Sequence, residues 1–143
     1  ECLVGSEMCI RDRMVSPIGK NIWLRFAHDH GLDFAQLRWC SKEVLSVDSD
    51  ADIVFLDKDG NTYNFKNKDY TLSTPGGGAV VAFGMNLLGV ELTLIGNCSV
   101  FKDKTMTAIR IYTNDGYYDF DIKEKNAKKL IKTYSLFEKA LKK

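Results

Sequence analysis

Apolar and polar positions follow a definite period over most of this chain, most regularly at its end. Met106–Thr113 reads as a strand, Asn114-Asp115-Gly116 as a turn and Tyr117–Ile122 as the antiparallel partner strand. On that second strand Tyr118, Phe120 and Ile122 share one face, and Tyr117, Asp119 and Asp121 share the other. Ala127, Leu130, Ile131, Tyr134, Phe137 and Leu141 then recur at helical spacing, with Lys125, Lys128, Lys129, Lys132, Lys139 and Lys142 largely off that face. Such a stripe docks on a sheet, because burying each large side chain contributes about 1.5–3 kcal/mol before entropy is subtracted.

The earlier part of the chain gives shorter signals. Ile22, Trp23, Phe26 and Ala27 fall at helical spacing, and Gly31 sits where a left-handed cap would end a helix. The same residues also read as a short strand from Ile22 to Phe26; the glycine stop favours the helix. Asp33 and Gln36 resemble a capping box opening a second short turn that carries Leu37. From Glu43 the texture turns to strands. Val44, Leu45 and Val47 give one, and Ile53–Leu56 and Thr62–Phe65 flank the turn chemistry of Asp57-Lys58-Asp59-Gly60-Asn61. Tyr70–Ser73 gives another, and Pro75 with three glycines then interrupts regular structure. Gly76–Gly96 is the most apolar stretch; within it Val90, Leu92 and Leu94 alternate with Glu91, Thr93 and Ile95, a half-buried strand.

The chain has 143 residues, 45% hydrophobic and 27% charged, a size and balance suited to one folded domain. The first thirteen residues stand apart. Val4-Gly5-Ser6-Glu7-Met8-Cys9-Ile10-Arg11-Asp12-Arg13 resembles translated sequencing-adapter read-through, of the kind met in reading frames assembled from metagenomic data. Residues 1–13 are therefore read as a non-native artefact or a disordered tail, and 14–143 as a single α+β domain. Without them only Cys40 and Cys98 remain, two distant thiols that suit the core of a cytoplasmic protein better than a disulfide framework. The remainder carries 18 basic and 16 acidic residues, too even a balance to indicate nucleic acid.

About seven short strands followed by one amphipathic helix resemble the pleckstrin-homology superfold, including its GRAM and bacterial relatives. The likeness rests on Ala108–Lys143: a strand, the turn Thr113-Asn114-Asp115-Gly116, the strand Tyr117–Ile122, a polar link and the closing helix. It departs in three respects. Both Trp residues, Trp23 and Trp39, precede the strands instead of lying in the closing helix, the N-terminal helical segment is extra, and Gly76–Gly96 has no counterpart. The resemblance implies a binding scaffold for phosphoinositides or protein segments. Lipid-binding members place Lys and Arg around the loop joining their first two strands. Here that loop would be Asp48-Ser49-Asp50-Ala51-Asp52, which repels a phosphorylated headgroup and argues against phosphoinositide.

Candidate chemistry is sparse. His28-Asp29-His30 is the one histidine cluster, but on the expected helix the two imidazoles point about 200° apart, so no shared metal is assigned. Asp57-Lys58-Asp59-Gly60 places its glycine wrongly for a calcium loop. Gly76, Gly77 and Gly78 could form an anion-binding nest, yet Ala79-Val80 follows where a phosphate loop needs Lys-Ser/Thr. Asp119 and Asp121 could pair for acid–base work; on an exposed hairpin face such carboxylates are usually solubilising. The lysines of the last helix read as a solvated face. No catalytic residue, metal or cofactor is implied.

The expectation is an α+β domain with an N-terminal helical segment, a bent antiparallel sheet or half-open barrel of about seven short strands, and a C-terminal amphipathic helix. Its expected role is a non-catalytic binding or protein-interaction module, with a protein partner or self-association favoured. Two alternatives stand beside it: a membrane-associated protein using Gly76–Gly96, and a small enzyme with an acidic site near Asp119 and Asp121. Glu91, the glycines and the strand period of Val90–Ile95 argue against a membrane-crossing helix there.

Overall fold

In the computed structural model, residues 15–75 and 88–141 are described. Eleven strands are formed: β1 (Val15–Gly19), β2 (Ile22–Asp29), β3 (Leu32–Ser41), β4 (Ser46–Val47), β5 (Asp52–Asp57), β6 (Thr62–Asn67), β7 (Thr71–Leu72), β8 (Thr74–Pro75), β9 (Leu88–Ile95), β10 (Met106–Thr113) and β11 (Gly116–Asp121). A 3-10 helix (Cys98–Lys102) lies between β9 and β10, and α1 (Glu124–Leu141) closes the described chain. The main sheet is antiparallel throughout, in the order β1-β2-β3-β9-β6-β5-β10-β11, with β8 beside the start of β9; β4 and β7 form a separate pair.

The expected N-terminal helical segment is instead the β1-β2-β3 meander. Ile22, Leu24 and Phe26 are buried and alternate with half-buried Trp23, Arg25 and Ala27, the period of a strand. His30 and Gly31 have φ of 52° and 76° and form the two-residue loop between Asp29 and Leu32. A left-handed glycine ends a helix and turns a hairpin equally well, and both central residues of this tight turn need positive φ. Asp33 and Gln36 then lie on β3, where Gln36 accepts from Arg25 Nε across the hairpin (2.6 Å) instead of capping a turn. The local pattern was ambiguous; pairing of β3 with β9, which sets Leu37 opposite Leu92, decides it. Among the described residues there are eleven strands, against about seven expected.

The later elements fall where the periodicity puts them. The β5–β6 hairpin, β9, the β10–β11 hairpin and the C-terminal helix all form. Among the described residues no helix is long and apolar enough to cross a membrane. Residues 76–87 lie outside the described residues, and the rest of the apolar stretch includes β9, whose Glu91 points outward and accepts from Arg38 Nε at 2.7 Å.

The sheet falls into two four-stranded halves, β1-β2-β3-β9 and β6-β5-β10-β11, whose ladder crosses only at Lys66↔Ile95 and Asn67↔Leu94. Phe101, fully buried on the 3-10 helix, fills the fold between them. Its ring lies 5.2 Å from Phe26 of the first half, and 5.0 and 5.5 Å from Phe55 and Phe65 of the second. Phe26 in turn meets Tyr134 and Phe137 of α1 at 5.0 and 5.8 Å. Gly96 allows the crossing, because a Cβ there would lie 2.5 Å from the Phe65 ring. Farther from the helix, Trp39 of β3 packs edge-on against Tyr118 and Phe120 of β11, so the sheet curls over its own inner face. Its edge strands β1 and β11 are not paired, and the barrel is not closed.

The docked face of α1 consists of Ala127, Leu130, Thr133, Tyr134 and Phe137; Ile131 is only half-buried and Leu141 is 43% exposed, so the stripe is rotated from the expected one. Phe101→Ala is expected to cost about 3–5 kcal/mol in urea unfolding. Leu130→Asp or Phe137→Asp should prevent folding, Ile131→Asp should be tolerated better, and exposed Lys132→Asp should cost less than about 0.5 kcal/mol. Circular dichroism of the four variants orders them, and equal effects at Leu130 and Lys132 would place the wrong face against the sheet.

Candidate functional site

The candidate residues are scattered by the fold. His28 ends β2, with Nδ1 2.6 Å from Asp33 Oδ1 on β3. His30 sits at the hairpin tip, 91% exposed, with Nδ1 3.0 Å from Asp29 Oδ1. Each imidazole thus has its own carboxylate, and among the described residues no three His, Cys, Asp or Glu side chains converge on one point. Gly76, Gly77 and Gly78 lie outside the described residues. The turn end of the β2–β3 hairpin and the end of α1 border an open crevice of about 390 Å³, whose lining includes Phe34, Phe137, Leu141, His28 and Gln36.

Asp119 and Asp121 lie together on the outer face of β11, but their settings differ. Arg110 of β10, the register partner of Asp119, donates to it through Nε (2.7 Å) and Nη2 (2.8 Å). This forked pair holds the Asp119 carboxyl below its ordinary range and pushes the guanidinium pKa up. The Arg110 guanidinium also lies 4.0 Å over the Tyr117 ring. A carboxylate held ionised in this way is a poor proton donor at neutral pH, so the geometry favours an anchored surface charge over a catalytic acid.

The register extends this into a lattice. Thr62, Leu56, Ala108 and Asp121 form one row across β6, β5, β10 and β11, and Asn64, Val54, Arg110 and Asp119 form the next. Tyr112 and Tyr117 continue the face, with rings 5.9 Å apart. Lys66 and Asp52 pair at its margin. Leu56 and Tyr112, 36 and 38% exposed, line a shallow hollow of about 310 Å³, and Tyr117 is 56% exposed on the same face. Sequence reasoning found the Tyr117/Asp119/Asp121 side of this face and missed Arg110, Tyr112 and Leu56. The missed signal was again period two: Ala108, Arg110 and Tyr112 alternate with the inward Ile109 and Ile111.

Other polar groups serve the fold. Asp57 is 2% exposed, and its Oδ1 accepts from the backbone N–H groups of Asp59 and Asn61, both at 2.9 Å, while its Oδ2 accepts from Tyr63 Oη at 2.6 Å. The Tyr63 hydrogen bond is the main cause that lowers the Asp57 pKa, and the same bond pushes the Tyr63 phenol up to about 12. The hairpin turn that the sequence spacing excluded as a calcium loop is therefore organised by hydrogen bonds from its own backbone to Asp57. Asn67, fully buried, donates through Nδ2 to the carbonyls of Val47, Asp48 and Asp69 and ties the β4–β7 pair to the sheet. The acidic stretch Asp48–Asp52 leads from β4 into β5 and does not join the first two strands; Lys20-Asn21 does. Cys40 and Cys98 are buried thiols without a disulfide, and burial raises both pKa values, Cys98 to about 12, which keeps them protonated and poor nucleophiles.

Comparison of the chain with family models, with curated proteins and with solved structures returns no match.

Asp52, Asp57 and Asp119 all have folded-state pKa values below their unfolded ones. Each therefore contributes stability that is present above about pH 4 and is lost as pH falls through the depressed folded value. The urea midpoint should fall between pH 6 and pH 2.5, and Asp57→Asn should flatten that fall. An unchanged slope in the variant would show that Asp57 is not one of the groups responsible.

Proposed function

We propose that this domain is a non-catalytic interaction module that engages a protein partner through the outer face of β6-β5-β10-β11. The observation that carries this reading is the ordered lattice of Leu56, Val54, Ala108, Tyr112 and Tyr117 on the outer sheet face, with Leu56, Tyr112 and Tyr117 exposed beside the Arg110–Asp119 and Lys66–Asp52 pairs. Tyrosine and arginine are the side chains that dominate binding energy at protein interfaces, and here Arg110 is already oriented by Asp119 and Tyr117 before any partner arrives. A preordered side chain loses little entropy on binding. The antiparallel sheet closed by a C-terminal amphipathic helix supports keeping the pleckstrin-homology-like description as part of this proposal. A cytoplasmic setting belongs to the same proposal, supported by two buried cysteine side chains, Cys40 and Cys98, of the kind that serve as small hydrophobes in a core.

A second reading comes from the crevice at the end of α1. Its volume of about 390 Å³ and its mixed lining of Phe34, Phe137 and His28 suit a small amphipathic ligand. One experiment separates the two. Peptides selected from a displayed random library on the full chain should lose at least tenfold in affinity to a Leu56→Lys/Tyr112→Glu variant and keep their affinity for Phe34→Ala. Loss at Phe34 alone would move the binding function to the crevice, and indifference to both would overturn the outer-face proposal.

A further inference from the structure

Resting on that reading, we infer that the free edge of β11 is where a partner attaches, by adding an extended basic segment as a further strand. The hairpin register pairs Ala108 with Asp121 and Thr113 with Gly116, and Ile122 N–H donates to Thr107 O at 2.8 Å. Positions in an antiparallel ladder alternate between bonded and unbonded pairs. Gly116, Tyr118, Phe120 and Ile122 therefore bond to β10, and the N–H and C=O groups of Tyr117, Asp119 and Asp121 point away from it. Among the described residues no strand pairs with them.

The two edges of the sheet are treated differently. On β1, Pro17 removes a donor, the ladder slips between Pro17 and Gly19, and Asn126 of α1 donates to Ile18 O at 3.4 Å. Proline, a bulge and a covering helix are the usual means of closing an edge. β11 has neither proline nor bulge, and its inner residues are fixed: Tyr118 and Phe120 pack on Trp39, and Tyr118 Oη donates to Glu43 Oε2 at 2.7 Å. Among the described residues it is an unpaired edge, and Tyr117, Asp119 and Asp121 present its outward backbone groups. Near the Asp121 end, Gly19 of β1 comes close to the Asp121 carbonyl, which leaves the Tyr117–Asp119 end the more open.

Charge selects the occupant. Glu43, Asp115 and Asp121 border this edge against Lys123, while Asp119 and Arg110 neutralise each other in their forked pair. A second copy pairing β11 with β11 antiparallel about Asp119 or Phe120 sets Asp119 opposite Asp119 or Asp121, and like charges across a ladder are unfavourable. A segment with lysine or arginine at alternate positions meets the opposite sign there. Its backbone would complete the open hydrogen bonds, while its outward side chains would extend the lattice of Tyr112 and Tyr117.

The probe is a capped peptide of alternating Lys and Val, seven residues long, titrated into the ¹⁵N-labelled full chain at low salt. Amide exchange at Tyr117 and Asp119 should slow at least tenfold, that at Tyr118 and Phe120 should change little, and binding should weaken as salt is added. The Glu–Val counterpart and a lysine peptide N-methylated at alternate amides should each bind at least tenfold more weakly. Asp119→Pro, which places the missing donor on the open side, should remove binding while its melting temperature stays within a few degrees; if that variant does not fold, the N-methylated peptide decides alone. Equal binding of the methylated peptide, or shifts at Leu56 and Tyr112 without protection of the edge amides, would overturn strand addition and leave the outer-face module standing. No binding of any peptide, selected or designed, would overturn both. A β11-mediated dimer in sedimentation would replace the basic partner with a second copy.

Discussion

Phe101 occupies the fold between two half-sheets that share only two residue pairs of ladder, and the architecture depends on that contact. Its ring touches Phe26, Phe55 and Phe65, and through Phe26 the helix residues Tyr134 and Phe137 belong to the same aromatic cluster. A sheet of eight strands in one path twists progressively, and without a filled interior its halves would splay apart. The side chain that prevents this stands on a single turn of 3-10 helix, capped by Asn97, which accepts from Ser99 N–H at 3.1 Å. A short local element thus positions the one ring that three others need.

Where the chain's own neighbours decide conformation, the sequence was readable. The β10–β11 hairpin, the β5–β6 hairpin and α1 have periods, turns and breaks that agree with one another. The N-terminal meander was misread because Ile22, Trp23, Phe26 and Ala27 satisfy a helical period while Ile22, Leu24 and Phe26 satisfy a strand period, and Gly31 suits either ending. The deciding partner of β3 is β9, more than fifty residues away, and no local pattern contains it. Phe101 was invisible for a related reason: one aromatic residue in an irregular link has no period. Of the candidate surface, the outward side of β11 could be read from alternation, but the neighbours of that side are set by strand order, which places β5 beside β10.

The polar residues tell a consistent story about function. His28 meets Asp33, Asp52 meets Lys66, Asp57 meets Tyr63, and Arg110 meets Asp119. Each pair lies across adjacent strands or within one hairpin, so the groups that chemistry would need are engaged in holding neighbouring strands in register. What remains outward, beside these pairs, is a patterned surface of tyrosines, aliphatic side chains and fixed charges. On the proposed reading, that surface is where a partner binds.

The central place of β9 also bears on how this molecule assembles, because its partners are distant in sequence. The β2–β3, β5–β6 and β10–β11 hairpins join residues close in sequence and can form early. β9 must then enter between β3 and β6, setting Leu92 against Leu37 and Ile95 against Lys66. Closing those long loops precedes any reward from the contacts, which places such topologies at the slow end of folding. Until β9 arrives, β3 and β6 each expose an edge that the native molecule keeps inside. The chain is therefore most vulnerable to misassociation as a newly made polypeptide, before the strand that unites its halves has been laid down.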